Sequence, residues 1–115
     1  MKLVVAIIQP DMLNQVREAL IKAEITRITV SRCTGRGNLT MEDTYLYRGQ
    51  QVAPALMPKV RLDIACNDEY VDVAVQAVLK SAKHDSGRIG DGKIFVLPIE
   101  KCYRIRTEEE GSDAI

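Results

Sequence analysis

The chain has 115 residues, 46% of them hydrophobic and 28% charged, and its 16 basic residues balance 16 acidic ones to a formal net charge of zero. That length fits one domain over residues 1–115, burying about two-thirds of its unfolded surface, with the composition of an ordinary globular protein. Charge balance argues against a nucleic-acid partner held by a basic face, and no apolar run approaches the ~18 residues of a membrane span.

The segment Met1 to Ile8 is too short for a signal peptide and has no cleavage pattern, so a cytoplasmic location is expected. Cys33, Cys66 and Cys102 are widely spaced, and His84 is the sole histidine. Neither a disulfide framework nor a zinc site is expected from that pattern.

Lys2 to Gln9 contains an unbroken apolar run, Leu3 to Ile8, and reads as a strand covered on both faces. Pro10 and Asp11 open a helix in which Leu13, Val16, Leu20 and Ala23 recur at helical spacing. Ile25 to Thr34 is rich in β-branched residues and reads as a second strand. After Gly35-Arg36-Gly37 no periodic pattern returns until about Lys59, so residues 35–58 read as a long flexible loop.

Val60, Leu62 and Ile64 then alternate with Arg61 and Asp63, a strand with one apolar face. Asn67 is a suitable N-cap for a helix whose apolar stripe is Val71, Ala74, Val75, Val78 and Ala82. His84-Asp85-Ser86-Gly87 ends it, with His84 read as a solvated helix end beside Asp85. Ile94 to Leu97 is a fourth strand, halted by Pro98, and Cys102 to Thr107 a short extra strand. The acidic residues 108–115 read as a mobile C-terminal tail.

The resulting β-α-β-loop-β-α-β order is the α+β, ferredoxin-like arrangement, in which two helices cover one face of a four-stranded antiparallel sheet. With the first strand apolar on both sides, the other sheet face needs a cover, and a closed ring of copies is the simplest one.

Three features could carry chemistry. Gly90-Asp91-Gly92-Lys93 joins a helix end to a strand, where glycines let main-chain N–H groups approach an anion and Lys93 adds charge. It lacks the spacing of a Walker A loop. Arg104 and Arg106, two apart on a predicted strand, project from one face about 7 Å apart and offer two guanidinium forks to a polyphosphate. In the long loop, Tyr45, Tyr47 and Arg48 are residue types favoured at interfaces and mark a partner-reading arm. No nucleophile or general base accompanies them. An RNA-binding domain of the same element order needs aromatic stacking residues, and this chain has one Phe and no Trp.

Gly90-Asp91-Gly92-Lys93-Ile94-Phe95-Val96, followed by Arg104-Ile105-Arg106-Thr107, resembles the PII signal-transduction proteins. Ala6-Ile7-Ile8, Tyr47-Arg48-Gly49, Pro58-Lys59-Val60 and Asp113-Ala114-Ile115 extend the resemblance over essentially the whole chain. It implies a homotrimer that binds ATP or ADP in the clefts between subunits and controls nitrogen metabolism through its long arm, the T-loop. The implied partner is an ammonium-type membrane transporter or a metabolic enzyme, with no catalytic turnover by the protein itself. By position, Gly90, Asp91, Gly92, Lys93, Arg104 and Arg106 would hold phosphates, with Gly37 and Asn38 beside them. Thr29 and the strand from Asp63 to Ala65 would receive the adenine.

The departures are local. Where the family usually has an arginine and then a glutamine after Gly37, this chain has Asn38 and Leu39. Leu39 offers no oxygen to magnesium or 2-oxoglutarate, so little binding of either is expected. The family's modified tyrosine and serine fall at Val52 and Gln50, where neither modification is available. Two additional residues in the His84 to Gly87 region lengthen the approach to the glycine turn, and Glu108 replaces a customary glycine. A regulator of the same fold acting on carbon uptake or metal transport, with another effector, is the alternative.

Overall fold

A computed structural model describes residues 1–37 and 56–115 and the backbone of 45–47 and 50–52. The first strand, β1 (Lys2–Ile8), ends at Gln9, whose extended backbone leads into a 3₁₀ turn at Pro10–Met12. Proline suits that first position, since its missing N–H had no helical partner anyway. Helix α1 (Leu13–Lys22) follows and stops where Glu24 adopts φ 63°. There Ile25 N–H reaches back to the Leu20 carbonyl and Glu24 N–H to that of Ile21, a Schellman ending that buries Ile25 beside Leu20.

The second strand, β2 (Thr29–Gly35), starts later than the β-branched run, because Ile25 is used in that helix ending. Within the segment read as an unstructured loop lies a ribbon: β3 (Tyr45–Tyr47) pairs antiparallel with β4 (Gln50–Val52). Runs of three are too short to register as periodicity, which corrects the reading of 35–58 as wholly without secondary structure. Next come β5 (Met57–Cys66), α2 (Asp68–Ser81) and β6 (Gly92–Pro98). Asn67 stands at the N-cap of α2, but its side chain makes no cap bond and instead donates to the Ser112 carbonyl at 3.2 Å.

The strand order is β2-β5-β1-β6, all neighbours antiparallel, as the ferredoxin-like arrangement requires. Val4, Ala6 and Ile8 of β1 and Val60, Leu62 and Ile64 of β5 face the helices, where they meet Val16, Leu20, Ala74 and Val78. Each fully buried Val, Leu or Ile contributes ~1.5–3 kcal/mol, so this single layer is the main source of stability. Alternate residues form the opposite face. There Leu97, Leu3 and Ala65 lie in one row and Phe95, Val5 and Asp63 in the next. Neither α1 nor α2 covers it, and Phe95 and Leu97 remain 49% and 44% exposed.

Two expectations for the C-terminal part are corrected. Cys102 to Thr107 is not a strand; a single bridge joins Tyr103 to Glu110, and the chain reverses between them. Glu108 sits at φ 58° in that reversal, with its N–H bonded to the Arg104 carbonyl. Beyond it, residues expected to be mobile form a 3₁₀ turn, Gly111–Ala114, with Ala114 buried. Arg27 Nη1 fastens the end by donating to the Ile115 carbonyl at 2.7 Å.

Candidate functional site

The glycine turn is shaped mainly by sterics. Gly92, at φ 117°, lies against β1 so closely that a Cβ would stand 1.8 Å from the Ile7 carbonyl oxygen. No side chain fits there, and only glycine adopts that φ readily. Gly90, at φ 97°, turns its carbonyl inward to Gln9 Nε2, and Lys59 Nζ lies 3.5 Å from the same oxygen. Lys93 is opposite Ile7 and Lys59 opposite Cys33, so both lysines lie on the open sheet face at the glycine end.

Asp91 plays a part in this turn that the sequence reading did not assign. Its Oδ2 accepts main-chain N–H bonds from Arg88 at 2.8 Å and His84 at 3.2 Å, while Oδ1 meets His84 Nδ1 at 2.6 Å. Burial works against its ionisation, but the bonds from His84 and from the two main-chain groups outweigh that and hold the carboxyl below its ordinary value. The carboxylate therefore organises the turn, tying its backbone to the segment that precedes it.

His84 is not a solvated helix end. Its side chain is 13% exposed, and Nε2 lies 2.8 Å from Asp11 Oδ2 in the 3₁₀ turn after β1. Nothing in the local sequence pairs His84 with Asp11, 73 residues away; only the β1–β6 pairing brings them together.

The arginines lie elsewhere. Arg104 donates to the Ile115 carbonyl at 3.2 Å and pairs with Glu109 at 3.3 Å, and Arg106 stands exposed in the reversal. Their expected projection from one strand face does not occur. Ile99 N–H bonds the Met1 carbonyl, so this segment leaves the sheet at the start of β1, whereas the glycine turn adjoins its finish. The seven residues of β6 separate the two by about 20 Å.

Thr29 lies opposite Asp63, two residues from Ala65, and both Thr29 and Ala65 are exposed on the open face. Gly37 follows β2 at the glycine end, because Gly35 pairs with Met57 near the start of β5. Asn38, Leu39 and Arg48 fall outside the described residues; Tyr45 and Tyr47 are seen as backbone of β3 only. Among the described residues, no group of His, Cys, Asp and Glu side chains is arranged to hold a metal ion, and no helix is long and apolar enough to cross a membrane.

A family model described as nitrogen regulatory protein P-II matches residues 1–109. The chain belongs to the P-II family. A P-II protein of Rhizobium etli is 46% identical over 115 residues, and one of Azospirillum brasilense 44%, each match covering the whole of both chains. Nitrogen regulatory protein GlnK1 of Methanosarcina mazei is 41% identical over 117 residues, covering all of this chain and 97% of that protein. P-II proteins are signalling regulators rather than enzymes, and this chain is a nitrogen regulator of that type. The names of these relatives do not favour the alternative of carbon uptake or metal transport.

Proposed function

We propose that this P-II protein senses ATP or ADP in clefts between adjoining copies, arranged as a homotrimer in the cytoplasm. Phosphates would rest on Gly90, Asp91, Gly92 and Lys93 of one copy, with Gly37 and Asn38 beside them. Arg104 and Arg106 of a neighbouring copy would close on them, and Thr29 and Ala65 would receive the adenine. Occupancy would set the posture of the arm carrying Tyr45, Tyr47 and Arg48, which docks on an ammonium-type transporter or a nitrogen-metabolism enzyme. Such control requires that the nucleotide bind the two arm arrangements with different free energies.

The observation that carries this reading is the placement of the two cationic elements at opposite ends of one sheet. A single chain does not close both on one polyphosphate, so on this reading the arginines come from a neighbouring copy. The uncovered face with Phe95 and Leu97, and Ile105 standing 96% exposed between the arginines, supply apolar surface for such neighbours.

At a hundredfold excess over its dissociation constant, ADP stabilises by about 2.7 kcal/mol, which raises the melting temperature by roughly 5 °C or more for a chain of this size. The double variant Arg104→Ala, Arg106→Ala should lose that shift. Mixed trimers with a Lys93→Ala variant should recover part of it, because some clefts then hold both intact halves. An undiminished shift in the double variant overturns the assignment of the arginines, and no recovery on mixing overturns the division between copies.

A further inference from the structure

His84, just before the glycine turn, contacts that turn through Asp91, and the inference drawn from it rests on the nucleotide reading above. Both ring nitrogens of His84 face carboxylate oxygens, Asp91 Oδ1 at 2.6 Å and Asp11 Oδ2 at 2.8 Å. A neutral imidazole carries one N–H, so it would leave a bare lone pair against one of these anions. Both contacts are hydrogen bonds only when the ring is an imidazolium. That cation then ties the turn to the end of β1, beside the Gln9 and Lys59 side chains that reach the Gly90 carbonyl.

We propose that His84 is a positioning residue for the phosphate-binding turn: protonated, it latches Asp91 to Asp11 and holds the turn ready, and neutral, it lets the turn loosen. The charged surroundings favour the latched form. The 3₁₀ turn presents Asp11, the glycine turn presents Asp91, and Arg88 is the cation that opposes them. Lys83 and Asp85 flank the ring in sequence with opposite charges, and Lys59 of β5 is engaged at Gly90. The bond to Asp11, and after it the bond to Asp91, raises the proton affinity of His84 above the ordinary histidine value. Stability from the latch is therefore complete below the ordinary value of ~6.5 and is lost as pH rises through the higher folded one.

The test uses the full chain, nucleotide-free and with ADP, as wild type, His84→Gln and Asp11→Asn, at about pH 6 and about pH 9 to bracket the histidine range. Amide exchange across residues 87–92 and ADP dissociation constants are compared between proteins at the same pH, which cancels titration of the phosphates. His84→Gln should bind ADP about fivefold more weakly than wild type at the acid end, the low end of typical coupling, and equally at the alkaline end. Its turn should exchange faster than wild type only at the acid end. Asp11, with its side chain 69% exposed, can be altered without disturbing the core, and Asp11→Asn should move the wild-type transition to lower pH. If ADP binds and His84→Gln tracks wild type at both ends, the latch is refuted and the nucleotide reading stands. If exchange follows His84 while ADP binds none of the proteins, the nucleotide reading falls and the latched turn survives without it.

Discussion

The glycine turn and the arginine turn leave the same strand, β6, at its two ends, yet they are built by different means. Residues 90–93 are set by the sheet itself, with Gly92 against the β1 backbone and Asp91 tied by three bonds to His84 and Arg88. Residues 102–110 are held largely by one another and by the chain end: main-chain bonds join Cys102 to Gly111 and Arg104 to Glu108 and Glu109, Thr107 and Glu109 add side-chain bonds, and Arg104 reaches the Ile115 carbonyl. A preformed cradle loses little entropy when an anion arrives, whereas an arginine bonded to its own turn can exchange those internal partners for a ligand's. The contrast fits the proposed site, with one wall set by the sheet and the other able to trade its bonds.

Breaking the fixed wall should have the largest effect. Gly92→Ala places a methyl carbon on the Ile7 carbonyl and demands a positive φ from alanine, so we expect a loss of at least about 3 kcal/mol. Urea unfolding measures it. A loss below about 1 kcal/mol would show that β6 slides away from β1 at little cost, and the turn would not be rigid. The arginine wall should respond more mildly. Arg27→Ala removes one of the two donors to the Ile115 carbonyl while Arg104 keeps the other, so the loss should be about 0.5–1 kcal/mol. Faster amide exchange confined to residues 111–115 should accompany it, and exchange that also rises in β6 would contradict the separation of the two turns.

The same contrast governs what was legible in the sequence. Strand β1 announced itself through the unbroken apolar run Leu3 to Ile8, and β5 through the alternation of Val60, Leu62 and Ile64, where one buried face imposes a period. Gly90 to Lys93 was also legible, since glycines forced by a close approach are a local signature. The arginine segment misled for the opposite reason. Tyr103, Arg104, Ile105 and Arg106 alternate as a strand would, but Ile105 faces solvent rather than a sheet, and the chain reverses instead. The partners of His84 were out of reach altogether. Asp85, its sequence neighbour, drew attention, whereas Asp11 and Asp91 arrive only through the pairing of β1 with β6.

The smallest expected effect is a gain, and it reverses the logic of Gly92. Glu108 occupies the left-handed region at φ 58°, where a Cβ costs roughly 1–2 kcal/mol and glycine costs none. Its neighbours hold the reversal without its side chain: Glu109 N–H meets Thr107 Oγ1 at 3.3 Å, and the Glu109 carboxylate pairs with Arg104. Glu108→Gly relieves that strain but also frees the unfolded chain, which returns about 0.5–1 kcal/mol of the benefit. The net should be a stabilisation of about 0.5 kcal/mol, seen as a higher urea midpoint at unchanged slope. A destabilisation of similar size would mean that the Glu108 side chain itself holds the arginine turn in place.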